Sequence, residues 1–354
     1  CIICRRCETM CNDVQMCNVL SVINRGFNTV VAPAFNMPIA ESNCTFCGQC
    51  VAVCPTAALT EVNFIPNTWD AINAKDKIVV VETAPAIRAA LGEEFGLEPG
   101  TLVTGKMVSA LRALGFDYVF DTNFGADLTI MEEATEFIHR LEHGGRLPML
   151  TSCCPAWINL LEHRFADLLD IPSTCKSPHQ MFGTITKTYF AEKINVDPKD
   201  MVVVSIMPCL AKKYEAARPE MQINGVRDVD IVLSTRELAK MIKEAGIDFL
   251  SLEDDTFDNP IGESTGAAVI FGASGGVMEA AVRTAYEWIT GESGPTLEFN
   301  SVRGYEGVKE ATIKIKDMDI NVAVTNGLGN AVRILENIRE GKVNYHLIEI
   351  MACP

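Results

Sequence analysis

The chain has 354 residues, 48% of them apolar, enough for two or three globular domains around a sizeable core. Thirty basic against 46 acidic residues give a net charge of −16, which argues against a phosphate-binding surface and against nucleic acid as a partner. No run of about eighteen apolar residues occurs, so no membrane span is expected.

The chain starts at Cys1 without a methionine and stops at Pro354 after an apolar run; both ends are expected to be cut, with any targeting signal lost. Fourteen cysteines would suit a disulfide scaffold in a short secreted chain. Here nine fall within the first 54 residues at short regular spacings, which points to metal ligation in a reducing compartment.

Cys1-x2-Cys4-x2-Cys7-x3-Cys11 is followed by Cys44-x2-Cys47-x2-Cys50-x3-Cys54-Pro55, an internal repeat. Three thiolates two residues apart wrap three corners of a cubane, and the fourth reaches the neighbouring cluster. Cys1, Cys4, Cys7 and Cys54 are therefore expected to hold one [4Fe–4S] cluster and Cys11, Cys44, Cys47 and Cys50 another. Structural zinc is the alternative, but its sites usually pair two C-x2-C motifs across a loop. Cys17 lies outside the repeat and reads as a packed thiol. Between the repeats, the segment including residues 24–35 has an apolar alternating run that reads as a strand. This gives a two-cluster ferredoxin-like domain over 1–65, an electron wire whose electrons are used further along.

Over 66–354 strands and helices alternate. IVVVE (78–82) and DYVFD (117–121) read as strands, and SALRALG (109–115) as a helix end closed by glycine. A long helix is predicted over 126–142, closed by the glycines at 144–145. Residues 201–207, 230–234, 267–271, 320–324 and 345–350 read as further strands. The pattern implies an α/β body with mostly parallel pairing.

The unusual residues follow strand ends: TAP after 78–82, TSCCP after LPML, MPC and then Lys212 after 201–206, GASGG after 267–271, and MACP after 345–350. Ligands of open α/β sheets bind outside the strand carboxyl ends. Cys154, Cys209 and Cys353 are thus expected to converge on a third metal centre. Each alone is more often a small buried hydrophobe; three at equivalent positions favour ligation.

TSCCPAW, IMPCLAKKYE, FGASGGVMEAAVRTAYE and EIMACP together resemble the signature loops of the iron-only, or [FeFe], hydrogenases. The front repeat, ETAP and FDTNFGADLTIMEEATE are similar too. CRRCETMCNDVQ and AFNMP resemble catalytic subunits of the NAD(P)-linked, multi-subunit members.

The resemblance implies a two-lobed body with mostly parallel sheets enclosing a buried metal site. It also implies reversible 2H⁺ + 2e⁻ ⇌ H₂ at an H-cluster. That cofactor is a [4Fe–4S] cubane joined through a cysteine sulfur to a two-iron unit carrying carbon monoxide, cyanide and a dithiolate. Cys154, Cys209 and Cys353 match cubane ligands. The family's bridging ligand lies four residues beyond the position of Cys353, past the end of this chain, so the catalytic domain is expected to be truncated. Lys212 is implied to donate to a cyanide, with Ala84 and Pro85 near the other cyanide, and Met207, Phe271, Gly272 and Met351 lining the two-iron pocket. Without the resemblance, Met207, Met351 and Phe271 would read as ordinary core. Implied partners are ferredoxin or NAD(P)-linked subunits and the H-cluster maturation proteins, with a cytoplasmic location, or a hydrogenosomal one in a eukaryote.

Glu133, Glu136 and Arg140 form one helical stripe, and Ile130, Ala134, Phe137 and Leu141 another. On its own a charged stripe is a solvated face. In the family the residues matching Cys153, Glu133, Ser173, Glu136 and Arg140 carry protons, which explains the paired cysteines: Cys154 binds iron and Cys153 stays a thiol. Glu132 and His139 are assigned to the solvated side. Cys175 has no assigned role, and His179 stands where glutamine is more usual. The competing readings are a hydrogen-sensing relative and a hydrogenase-like iron–sulfur assembly factor.

Overall fold

A computed structural model describes residues 1–259, 261–295, 297–298, 300–302 and 307–353. Its strands are β1 (Ser21–Ile23), β2 (Val30–Ala32), β3 (Ile78–Thr83), β4 (Tyr118–Asp121), β5 (Met149–Leu150), β6 (Met201–Ile206), β7 (Gln222–Ile223), β8 (Val226–Arg227), β9 (Ile231–Leu233), β10 (Asn300–Ser301), β11 (Val308–Ile315), β12 (Met318–Asn326) and β13 (Leu347–Met351). The chain divides into two compact units. Cys1–Glu61, Ile130–Cys175 and Ala273–Pro354 form the first; Val62–Thr129 and Lys176–Gly272 form the second.

The second unit is built on a parallel sheet in the order β4-β3-β6-β9. β3 and β6 are runs of β-branched residues buried on both faces, as parallel strands covered by helices require. Phe120 of β4 packs its ring 5.5 Å from Phe182 and 5.2 Å from Phe190, so aromatic area closes one side of the core. The helix Thr104–Leu114 buries Met107, Val108 and Leu111 and stops at Gly115. That residue has φ 106°, and a Cβ on it would meet Ile72 at 2.9 Å, so glycine is required twice over. The helix Thr235–Glu244 starts from a capping box made by Ser234 and Glu237.

The first unit holds a sheet in the order β10-β11-β12-β13-β5, antiparallel from β10 to β12 and parallel from β12 to β5. The mixed pairing arises because β11 and β12 form a hairpin, which only antiparallel strands can. β11 alternates buried and exposed positions and was not among the expected strands. The helix Asn123–His143 extends the expected one at its start and ends, as predicted, at Gly144 with φ 78°. Ile130, Ala134 and Phe137 are buried along it, and Leu141 packs against the core.

Two expected strands are corrected. Residues 24–35 are not one strand: β1 and β2 pair as an antiparallel hairpin around the turn Gly26–Asn28, where Thr29 N–H donates to the Gly26 carbonyl. Residues 267–271 are helical. Thr265 caps the helix Gly266–Val269 by accepting from the Ala267 N–H at 3.2 Å, and a tight turn Ile270–Gly272 follows. A five-residue apolar run has no periodicity that separates strand from helix, and the threonine cap decides it.

Candidate functional site

In the first unit, three strand ends gather the cysteine loops. Thr151, just past β5, donates its N–H to Ile348 of β13 at 3.0 Å, and its hydroxyl accepts from the Ile350 N–H at 3.3 Å. The buried Trp157 donates to the Thr151 carbonyl at 3.0 Å and holds the turn, while Pro155 opens the helix Pro155–Arg164 directly after Cys154. The Ala352 N–H points at Cys154 Sγ at 3.4 Å, so Cys154 and the loop carrying Cys353 are neighbours. Gly327, past β12, donates to the carbonyls of Met351 and Cys353 at 2.9 and 3.1 Å. The thiol of Cys353 is pushed up by the protein around it and by the nearby Cys154 and Cys47. Pro354, the last residue of the MACP motif, lies outside the described residues.

The acid chain lies beside this loop. Glu133 is buried, and burial pushes its carboxyl up to about 8; the Ser152 N–H and the Ser173 hydroxyl lie close enough to draw it partly back. Neither of its oxygens reaches hydrogen-bond geometry with a donor. Glu136 is half-buried and held below the usual carboxylate range: burial works against ionisation, but the Thr174 N–H and the Arg140 guanidinium outweigh it. Its Oε2 accepts from the Ser173 hydroxyl at 3.1 Å and the Thr174 N–H at 2.9 Å, and its Oε1 from Arg140 at 2.6 Å. Arg140 also donates to the carbonyls of Ile171 and Pro172 at 2.7 and 2.9 Å. Glu133, Ser173, Glu136 and Arg140 thus form a line from a neutral buried acid to an ion pair. Cys153, which follows Ser152 in the chain, is buried, and Glu132 and His139 are exposed. Cys175 is pushed up to about 12 by burial, and its N–H donates to the Ser173 hydroxyl at 3.2 Å.

In the second unit, Ala84 past β3 donates to the Ile206 carbonyl at 3.0 Å, and Met207 past β6 donates to Leu233 at 2.8 Å. A Cβ on Gly272 would lie 3.9 Å from that of Pro85, so the turn Ile270–Gly272 comes up beside the tip of β3. β3 is where the strand order reverses, between β4 and β6, the position at which open α/β sheets form a crevice. Cys209 is half-buried on the loop after β6, and the helix Ala211–Ala216 that follows carries Lys212.

The amino-terminal cysteines lie close enough to influence one another within and across the two repeats, Cys7 acting on Cys50 as well. Cys7 senses Cys4 and Cys54; Cys50 senses Cys47, Cys44 and Cys11. Backbone N–H groups of Thr56, Leu59 and Ala58 hold the Cys54 thiol down at about 7, and Phe46 N–H donates to Cys44 Sγ at 3.4 Å. Such N–H···S contacts suit thiolate ligands. No described cysteine is in a disulfide. Among the described residues no three His, Cys, Asp or Glu side chains are drawn together as ligands of a single ion would be. An all-cysteine donor set repeated at C-x2-C-x2-C-x3-C is the one a [4Fe–4S] cubane takes. Cys17 is pushed up to about 12 by burial and lies 3.5 Å from Thr45 Oγ1, a packed thiol as expected.

Several residues that build the site were not anticipated. Gln15 is fully buried; it donates to the Ala352 carbonyl and accepts from the Leu328 N–H, both at 2.9 Å, tying the cysteine-rich segment to the Cys353 loop. Glu349 of β13 accepts from the N–H groups of Gly275 and Met278, at the start of the helix Gly276–Thr290. Glu82 of β3 and Glu215 are buried in the second unit. For Glu82 and Glu349 the signal was a carboxylate inside an otherwise apolar strand; for Gln15 there was none.

The fold and its cysteine loops define an α/β iron–sulfur redox protein with a ferredoxin-like front. Residues 77–354 match the family described as iron only hydrogenase large subunit, C-terminal domain, and residues 37–60 match a 4Fe-4S binding domain. The chain belongs to the iron-only hydrogenase family. It is 58% identical over 360 residues to the NADP-reducing hydrogenase subunit HndD of Solidesulfovibrio fructosivorans, covering 100% of this chain and 61% of that protein. It is 45% identical to iron hydrogenase 1 of Clostridium pasteurianum, covering 100% of this chain and 62% of that one. An apo [FeFe]-hydrogenase structure from Chlamydomonas reinhardtii superposes with TM-score 0.76 at 41% identity, covering 83% of this chain and 82% of the other. The chain therefore spans about three fifths of the length of those two curated relatives. Iron–sulfur clusters are its cofactors by family. No helix of the described residues is long and apolar enough to cross a membrane.

Proposed function

We propose that this chain is the catalytic part of an iron-only hydrogenase, interconverting protons, electrons and H₂. When bound, the H-cluster supplies the redox-active iron at which protons and electrons meet. Cys154, Cys209 and Cys353 would hold its cubane, and Lys212, whose ammonium only donates, would meet an anionic cyanide. Ala84, Pro85, Met207, Phe271, Gly272 and Met351 would wall the two-iron unit and keep water away. Cys1, Cys4, Cys7 and Cys54, and Cys11, Cys44, Cys47 and Cys50, would hold two [4Fe–4S] clusters as an electron wire. The influence of Cys154 on Cys47, and of Cys47 on Cys353, supports delivery from the second of them.

Protons need their own route, because a buried site holds little water. Cys153 Sγ holds the proton at the inner end. Glu133, neutral at pH 7, relays it; Ser173 bridges to Glu136, and Arg140 keeps Glu136 charged and ready to accept from outside. One observation carries this reading: a buried, unpartnered Glu133 against the loop of the paired cysteines, continued outward by Ser173, Glu136 and Arg140.

The name of the NADP-reducing relative supports an NAD(P)-linked partner subunit, with ferredoxin as the other electron partner; maturation proteins would install the H-cluster. The absence of disulfides among described cysteines supports a reducing, cytoplasmic setting. An intact Cys153–Arg140 set favours turnover over hydrogen sensing, and Lys212 with the paired cysteines favours a two-iron unit over an assembly role.

The test is Cys153→Ala in matured full-length protein. Hydrogen evolution from a reduced dye is expected to fall by about 10²–10⁴-fold, the usual contribution of a positioned proton donor, with cluster spectra nearly intact. Full activity in the variant would refute the relay.

A further inference from the structure

A buried polar group in the second unit is used neither for cluster ligation nor for the proton chain. His179 lies in the helix Pro178–Ile185, Ser205 in β6, and Lys212 and Glu215 one turn apart in the helix Ala211–Ala216. His179 Nε2 stands 2.7 Å from Glu215 Oε2, and Lys212 Nζ stands 2.8 Å from that same oxygen. On the other side of the ring, Nδ1 is 3.2 Å from Ser205 Oγ. His179 is 1% exposed, Glu215 3% and Ser205 0%, so water cannot take over a lost contact.

The proton arrangement follows from these partners. Lys212 and His179 outweigh burial and hold Glu215 at about 2, so its carboxylate only accepts. Nε2 must then carry the ring hydrogen, which leaves Nδ1 to accept from the Ser205 hydroxyl. Gln180 Nε2 lies 3.3 Å from the same Nε2, and Gln180 Oε1 has no partner; turning that amide over lets Oε1 accept from the ring and removes the clash of donors. An ammonium on a four-carbon stem is fixed in distance by one carboxylate but not in direction, and a carboxylate rotates easily about its last torsion. The imidazole removes that freedom, because it anchors the very oxygen the ammonium uses and is itself tied to β6.

We propose that His179 is a positioning residue, which through Glu215 sets the direction in which Lys212 presents its ammonium group. This deepens the hydrogenase reading, on which Lys212 faces an anionic ligand of the H-cluster, and it rests on that reading for its purpose but not for its geometry.

Three variants separate the contacts. His179→Gln can place an N–H where Nε2 stands and keep the Glu215 contact; His179→Asn reaches only the position of Nδ1; His179→Ala loses both. Full-length protein lacking the two-iron unit is treated with limiting acetic anhydride, and Lys212 acetylation is measured by mass spectrometry against surface Lys77. Glu215 released from its anchor loosens the ion pair and lets the Lys212 ammonium turn away, which predicts roughly tenfold faster labelling of Lys212 in His179→Ala and His179→Asn, with His179→Gln close to wild type. If His179→Ala fails to fold, His179→Asn carries the test. Wild-type labelling in His179→Asn would overturn the proposal. In matured protein the cyanide infrared bands should move in His179→Asn and stay in place in His179→Gln; bands unmoved in His179→Asn would also overturn it. Wild-type protein without cyanide bands would defeat the hydrogenase reading alone, and the acetylation result would still decide the role of His179.

Discussion

Glu82 carries the sharpest consequence at the scale of single residues. It sits inside β3 among valines, where burial pushes its carboxyl up to about 8 while Thr122 donates to it at 2.9 Å. An unfolded glutamate titrates near about 4.3. Between those values the folded chain keeps a proton that the unfolded chain has released. Folding stability therefore falls as pH rises through that window, by up to about 1.4 kcal/mol per pH unit, and levels off above it. Glu82→Gln is expected to flatten this dependence in urea denaturation between about pH 5 and pH 8; identical slopes would show that Glu82 is charged in the folded state. Glu133 has the same sign of shift, and its carboxyl oxygens lack close donors. Glu133→Gln keeps shape but carries no exchangeable acid proton, so hydrogen turnover should fall about 10²-fold or more while stability changes little. Unchanged turnover would remove Glu133 from the route. The types and spacing of Glu133, Glu136 and Arg140 were legible in the sequence. The neutrality of Glu133 was not, because it depends on packing by residues far away in the chain.

Among elements, the strand β13 and the helix Gly276–Thr290 are joined by Glu349, which accepts from Gly275 and Met278, each at 2.9 Å. Its carboxylate does for that helix start what a capping side chain usually does, but from a neighbouring strand. Glu349→Ala leaves buried N–H groups unpaired and is expected to cost about 3 kcal/mol in urea denaturation, since each such group costs ~1–3 kcal/mol. A loss indistinguishable from zero would mean that water reaches the helix start. Long patterned elements were readable ahead of the structure: the valine runs of β3 and β6, and the helix Asn123–His143 with its glycine stop. Short ones were not. The run 267–271 became helical through Thr265, 24–35 split at a turn, and β11 was overlooked despite its alternation. In the first two cases one capping or turn residue outweighed the apolar pattern.

For the molecule as a whole, the units are not consecutive in the chain: the first is assembled from three segments, the second from two. No local pattern encodes that. Within the first unit, the cysteine-rich segment is held by buried Gln15, by Asn159 donating to the Cys44 carbonyl at 3.1 Å, and by Gly329, where a Cβ would meet the Val14 carbonyl at 2.6 Å. Residues 1–61 should therefore behave as part of that unit. Proteolytic cleavage near Glu61 is expected to leave the fragment associated under native conditions, and its free release would contradict this packing. The strand-tip cysteines were legible because each follows an apolar strand, and the buried acids were not. Infrared spectroscopy of matured full-length protein, combined with hydrogen evolution from a reduced dye, tests whether an H-cluster is held and turns over. Carbonyl and cyanide bands accompanied by turnover are predicted. Properly matured protein without those bands would contradict the hydrogenase assignment.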